Sequence, residues 1–453
     1  MQVAQINQKQ NPSFKNGFYN ATRELDSSVM LSRALIDTFG CTIPWIVMAN
    51  NDAEKKEKTR RYLLDYAIIW LTPFVTLPLS NRFAMKYLCK LTKSFWSNNH
   101  KAIHISNEYL KDTSSMMAEL QRMGEDLKKY PLEYFYYKLN PKKKYDNKLN
   151  IDELLKSVGG DKEKLRQKLI RSKNAVFFSD CMFTFGAGTT VLFGNNEITK
   201  KTTGQSGFSA EMSMADKEIV EKRAEKYEKS KKKRYLTSLG IIAATTLGMS
   251  LAGFATLYSK STNKLVQKLR SNARLFDYTK GIYMSRLPFF LGNMAFYMGA
   301  SLLAARNNTE RKDAAIRNGV GATVFFGGDL LLSSLFTNFS DRIFGTKLRQ
   351  ETGNNSIFRK IFPKVKPIRQ VIEEVELGKI SKVNKKVGAG IFWADMLLLM
   401  ISMGYAVPTA INKMIKRDVE KDINTQKASS FTELTNTPQI NTLRMKDFIN
   451  RVK

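Results

Sequence analysis

A chain of 453 residues is long enough for two or three globular domains, or for one polytopic helical bundle with sizeable polar inserts. Its 73 Lys and Arg against 41 Asp and Glu leave a formal charge of +32, which calls for an anionic counterpart, either nucleic acid or an acidic lipid surface. Cys41, Cys89 and Cys181 share no metal or redox spacing and read as free thiols rather than a disulfide framework, and with only His100 and His104 the chain excludes membrane metalloenzymes built on histidine clusters.

Residues 1–33 read as a polar arm, loose over 1–28, with no continuous apolar core for a cleavable signal, so insertion would rely on an internal span. Within it, Asn11 to Phe18 (NPSFKNGF) looks like a short motif with no chemistry attached. Residues 34–81 hold an apolar helix pair. The first member, Ala34 to Asn50, is weakened by Asp37, Gly40 and Pro44 and is expected to be re-entrant or spanning; the second, Tyr62 to Ser80, contains Pro73 and Pro78. Arg33 with Asp37 and Arg61 with Asp65 open the two segments at a spacing that pairs side chains on one helix face.

Residues 82–173 form a hydrophilic insert of helical pattern, with Met116, Leu120, Met123 and Leu127 on one face and breaks at Pro131 and Pro141. Membrane helices are expected over 174–339. The third candidate span is Asn174 to Gly194, and a charged helix over 216–234 then runs without a breaker into the fourth. Glu218 with Lys222, Glu225 with Lys229 and Glu228 with Lys232 support that helix at i,i+4.

The fourth span, Tyr235 to Ser259, is 25 residues without a charge, behind the basic run Lys231 to Arg234. At about 1.5 Å per residue it exceeds a hydrocarbon core of roughly 30 Å. Gly240, Ala244, Gly248 and Ala252 recur every fourth position, a stripe that would let a second backbone approach. The fifth and sixth spans are Leu287 to Ala305 and Asn318 to Phe339. A polar insert at 340–386 precedes the seventh, residues 387–411, and the tail 412–453 is polar, with Ile440, Leu443, Phe448 and Val452 able to lie on a membrane or a partner. Basic residues flank nearly every span on both sides, so the positive-inside rule chooses no orientation.

One pattern recurs. Val320-Gly-Ala-Thr-Val-Phe-Phe-Gly-Gly-Asp329 and Val387-Gly-Ala-Gly-Ile-Phe-Trp-Ala-Asp395 match, Ala175 to Asp180 gives a shorter echo, and the fifth span carries Asn293 in place of the acid. An Asp at mid-span costs about 2.5–3.5 kcal/mol and each Leu, Ile, Phe or Val returns roughly 0.3–0.6. The sixth span has ten such residues, so Asp329 must face protein or water. Asp65, Asp180, Asn293, Asp329 and Asp395 are therefore the candidate intramembrane polar positions. They either line a path for a cation or proton or bond a polar group on a neighbouring helix. The second reading is favoured, because no Lys, Arg or His lies deep in any span.

His100 and His104 lack a zincin Glu and read as two solvated histidines. Gly186-x-Gly188 and Gly388-x-Gly390 lack the phosphate-binding context and read as helix packing. No nucleophile elbow and no mitochondrial-carrier motif occurs, and no aromatics interleave the basic runs as in a nucleic-acid surface. The expectation is an all-α, polytopic α-helical membrane protein of five to seven spans with basic extramembrane helical inserts. It is non-enzymatic, without cofactor or metal, and structural or scaffolding. Its partners are anionic lipid headgroups, with a protein partner or self-association as the further option and no specific nucleic acid. The alternative is a transporter or channel subunit that uses the acids for cation or proton passage.

Overall fold

The computed structural model describes residues 14–27, 32, 35–123, 149–258, 263–271, 290–292, 294–350 and 362–436. Asn293, Pro131, Pro141 and the tail positions Ile440 to Val452 lie outside them, as does the side chain of Asp329. Among the described residues the fold is all-α, and its β pairing is an isolated antiparallel bridge between Arg349 and Val365. The main helices are α1 (Phe14–Ser27), α2 (Asp52–Leu71), α3 (Lys162–Thr203), α4 (Lys217–Tyr258), α5 (Asn308–Thr323), α6 (Asp329–Phe344), α7 (Ile368–Glu376), α8 (Lys382–Ile401) and α9 (Val407–Asn436).

The helix ends follow from local chemistry. Asn51 caps α2 by accepting from the Glu54 amide, while Glu54 accepts from the Asn50 amide, a reciprocal arrangement that satisfies donors at the helix start. Asp161 caps α3 through the amides of Glu163 and Lys164. At the other end Gly204, at φ +67°, turns the chain out of α3 in the left-handed conformation a side chain disfavours. Neither α3 nor α4 contains proline, and at 42 residues each runs about 63 Å.

The described chain divides into two compact units. The larger comprises 46–319 and 409 onward. Here α3 and α4 pack as an antiparallel pair, and α2 lies along α3. Its core draws Leu165, Leu169, Val176, Phe177 and Phe185 from α3, with Ile242 and Met249 from α4. The insert before α3 joins the same core through Met85, Leu91, Ile103 and Leu110. Gly188 sits against the Phe296 ring, and Gly388, in the smaller unit, meets Ile368, while Gly186 and Gly390 touch nothing nearby. Each pair thus divides into one packing and one open glycine.

The smaller unit comprises residues up to 45 and 320–408. In it α6 and α7 pack on α8, and a wide π-helical turn at Ser402–Ala406 continues α8 toward α9. In this turn hydrogen bonds run from residue i to i+5, so the Met403 carbonyl would need the amide of residue 408. That residue is Pro408, which has none. The Trp45 indole N–H donates to Met403 O instead at 2.9 Å, from a side chain only 2 % exposed. The first apolar segment, π-helical at Ile36–Thr42 and α-helical at Ile43–Val47, packs against this turn through Gly40, Pro44 and Gly404.

Three expectations need revision. Residues 14–27, placed in a loose arm, form α1: Phe18 stacks on Trp393, Thr22 accepts from the Trp393 indole at 3.1 Å, and Asp26 accepts from the Ile368 amide at the start of α7. The repeat Phe18, Thr22, Asp26 is a single helix face, visible only once its partners are present. The histidines are not solvated as a pair. His100 is 2 % exposed with Nδ1 2.9 Å from Ser97 O, and His104 Nε2 lies 3.1 Å from Asn81 Nδ2, because the turn Asn98–His104 folds onto the core. Finally, Gly240, Ala244 and Gly248 face outward, and α4 packs on α3 with its opposite side, Ile242, Thr246, Met249 and Gly253. Side-chain size does not choose this face, since Leu247 and Leu251 also point outward; Gly253 lies against Asn174 of α3.

Candidate functional site

Three features of the fold carry functional information. The first is the outward face of α4. From Lys222 through Lys226 and Lys229 to Lys232 and Lys233 it is exposed and net basic, with Glu221 and Glu225 among the lysines; from Leu236 through Ile241, Leu247 and Leu251 it is exposed and uncharged. The change occurs within one turn of one straight helix. The basic part is about 27 Å long and the apolar part about 36 Å. Four large apolar side chains, Leu236, Ile241, Leu247 and Leu251, are thus held outward along one helix over that length. In the smaller unit, Leu331, Leu335, Phe339 and Ile343 repeat the outward apolar stripe on α6. Among the described residues, three helices are long and apolar enough to cross a membrane: Lys162–Thr203, Lys217–Tyr258 and Lys382–Thr425.

The second feature is the set of acids that stand among apolar residues. Asp180 is buried on α3 and accepts from Ser80 Oγ at 3.2 Å; Asp395 is buried on α8 and accepts from Ser333 Oγ of α6 at 2.7 Å. Asp65, buried on α2, faces Arg61 Nε at 3.8 Å, and Arg61 also reaches Ser301 at 3.4 Å. Thus Asp180 and Asp395 each meet a serine from another part of their own unit, and Asp65 meets a cation one turn away. Asp329 opens α6 directly after the π-helical turn Val324–Gly328.

The third feature, which the sequence pattern does not reveal, is a buried ionic node at the polar end of the larger unit. Arg306, 2 % exposed, donates through Nη1 and Nη2 to both oxygens of Glu57 at 3.1 and 2.7 Å. It also donates through Nε and Nη2 to Glu310 at 3.0 and 2.9 Å. Burial alone would raise the Glu57 carboxyl and lower the Arg306 guanidinium. Their mutual attraction outweighs it, holding Glu57 below and Arg306 above its ordinary value. Beside them the fully buried Glu211 accepts from Asn307 Nδ2 at 2.9 Å and lies 3.3 Å from Arg223. Burial dominates there: despite Arg223, and helped by Glu310, the carboxyl is pushed up to about 7. Arg223 also binds Asp422 of α9 at 3.1 Å and Thr309 of α5 at 2.7 Å.

Further hydrogen bonds tie the helices into this node. Asn195 donates to Glu57 O, and Asn196 donates to Ala304 O and the Tyr227 hydroxyl, while Arg60 donates to Asn195 and Thr199. Glu228, expected to pair with Lys232, turns instead to Lys200 of α3 at 2.7 Å, since the facing helix presents a cation closer than the next turn does. Glu225 and Lys229 pair on the exposed face. Glu57 and Glu310 pair with Arg306, and Glu211 with Arg223, so the node ties α2, α4 and α5 together. No group of three or more potential metal ligands occurs among the described residues. No family model, curated protein or solved structure matches this chain.

Proposed function

We propose that this chain is an integral membrane protein with a non-enzymatic, structural or scaffolding role, whose basic collars hold anionic lipid headgroups. The outward face of α4 carries the reading: a cationic surface gives way to an apolar one at the boundary where headgroups would give way to hydrocarbon. The chain crosses five to seven times in this reading. Five helical runs are long enough: residues 52–88, 162–203, 217–258, 308–344 and 382–436. The shorter apolar helices Ile36–Val47 and Phe290–Ala304 rise about 18 and 22 Å, short of a hydrocarbon core of roughly 30 Å, so in this reading they are re-entrant or cross only with flanking residues.

The serine partners of Asp180 and Asp395 weigh toward acids that bind helices together and away from acids that carry a cation. The test is an alkaline carbonate wash followed by detergent extraction. Retention through the wash with release by detergent is expected; recovery in the wash supernatant overturns the reading. In reconstituted vesicles, Asp395→Asn is expected to leave proton and cation leakage unchanged. A flux that wild-type protein supports and Asp395→Asn abolishes, at equal protein level, would favour transport.

A further inference from the structure

At the other end of the apolar slab the larger unit carries a second, different surface. Between Asp65 and Glu108 the chain contains no acid, and Arg82, Lys86, Lys90 and Lys93 fall within twelve residues of one another. The same stretch presents a run of ring contacts: Phe83 to Tyr87 at 5.2 Å, Tyr87 to Phe95 at 6.4 Å and Phe95 to Trp96 at 5.1 Å. Phe83, Tyr87, Leu88 and Trp96 are all more than half exposed, Trp96 at 70 %. Cations lie over two of these rings, Arg82 at 4.8 Å from the Trp96 centroid and Lys86 at 4.8 Å from that of Tyr87. Lys90 has φ +50°, an uncommon conformation for a residue with a side chain, and it directs the chain out of the π-helical turn Ala84–Leu88.

Two contacts fix the height of this surface. Cys89 Sγ receives a bond from Ser172 Oγ at 2.6 Å and lies 3.5 Å from Lys168 O, which places the turn beside residues 168–172 of α3. Arg171 of the same stretch reaches the Tyr258 hydroxyl at 3.3 Å, at the last residue of α4. The aromatic and basic patch therefore stands at the far end of the apolar part of α4, about 36 Å of helix from its basic collar. Exposed aromatics interleaved with Lys and Arg, at one slab thickness from an opposite cationic belt, match the chemistry of a headgroup layer. The rings lie in the carbonyl region and the cations meet phosphate.

We infer that Arg82 to Trp96 is an interfacial anchor that seats in the headgroup layer and binds anionic phospholipid, setting the depth of the larger unit in the bilayer; this rests on the membrane reading above. In the test, full-length protein carrying Ser94→Cys takes an environment-sensitive fluorophore at an exposed site, against native thiols that are buried or half-buried. A second sample carries the label at Glu218→Cys, an exposed position about 25 Å of helix beyond the apolar part of α4. Both are reconstituted into nanodiscs of phosphatidylcholine alone or mixed with phosphatidylglycerol. The label at 94 should be shielded from aqueous iodide and more so with phosphatidylglycerol, whereas that at 218 should quench freely.

Combining Ser94→Cys with Arg82→Gln, Lys86→Gln, Lys90→Gln and Lys93→Gln should remove the dependence on lipid charge. A cation beside an anionic surface is worth roughly fivefold in lipid preference, so the loss should be at least about fivefold. A label at 94 that iodide quenches as fully as the one at 218, in protein that survives the carbonate wash, overturns the anchor and leaves the membrane reading standing. Release by the wash overturns both.

Discussion

Substituting Glu211→Gln isolates the energetics of the ionic node. In the folded protein this carboxyl is fully buried between Asn307 and Arg223 and titrates at about 7, against 4.5 for an ordinary glutamate. The folded form therefore holds the proton more tightly than the open form. Its stabilising contribution is complete below about pH 4.5 and is lost as pH rises through about 7. At about 1.36 kcal/mol per pH unit, that interval corresponds to about 3 kcal/mol. Hydrogen exchange of the amides over 205–216 reads the opening that frees the side chain. The rate of wild type relative to Glu211→Gln, taken at each pH so that intrinsic chemistry cancels, should rise about a hundredfold between about pH 4.5 and pH 8. A ratio that stays constant across that range would refute the argument, because the amide cannot ionise and the wild-type carboxyl would then titrate alike in the folded and open forms.

Other consequences are open to direct measurement. Arg306→Met leaves Glu57 and Glu310 buried without their cation and should cost about 3–5 kcal/mol, seen as a fall in melting temperature in detergent; adding Glu57→Gln should recover part of it. Gly188→Ala drives a methyl into the Phe296 ring and should cost about 1–3 kcal/mol, whereas Gly248→Ala, facing open space, should be neutral or stabilising in the same melt. Leu247→Lys puts a charge midway along the outward apolar face of α4 and should lower membrane insertion by about 2.5–3.5 kcal/mol, measured as a drop in the carbonate-resistant fraction.

The helices were legible where the signal is local. Lys217 to Tyr258 reads as one helix because no proline or glycine pair interrupts it, and its apolar half is marked by the absence of charge over 25 residues. The candidate acids were legible for the same reason, since an Asp among apolar residues stands out. What each acid meets was not, because Ser333 and Asp395 lie 62 positions apart and Ser80 and Asp180 lie 100 apart. The ionic node escaped altogether. Glu57 sits inside the run Lys55 to Arg61 and Arg306 ends an apolar stretch, so each looks like part of a solvated collar. Packing across 249 residues makes them a buried pair. The outward turn of the Gly240 to Gly248 stripe was equally hidden, since periodicity identifies faces without saying which one a neighbour will cover.

The unbroken course of α3 and α4 also makes them a ruler. With no hinge between Lys217 and Tyr258, the rise of a helix fixes the length of the charged part of α4, and about 27 Å separates Lys217 from the first turn of the apolar part. A single residue inserted between Lys226 and Leu236 would swing everything below it by about 100° and pull Glu228 away from Lys200. Any change of length must therefore be written into both helices of the hairpin at once, which on the membrane reading proposed above would tie the height of the ionic node to the thickness of the bilayer.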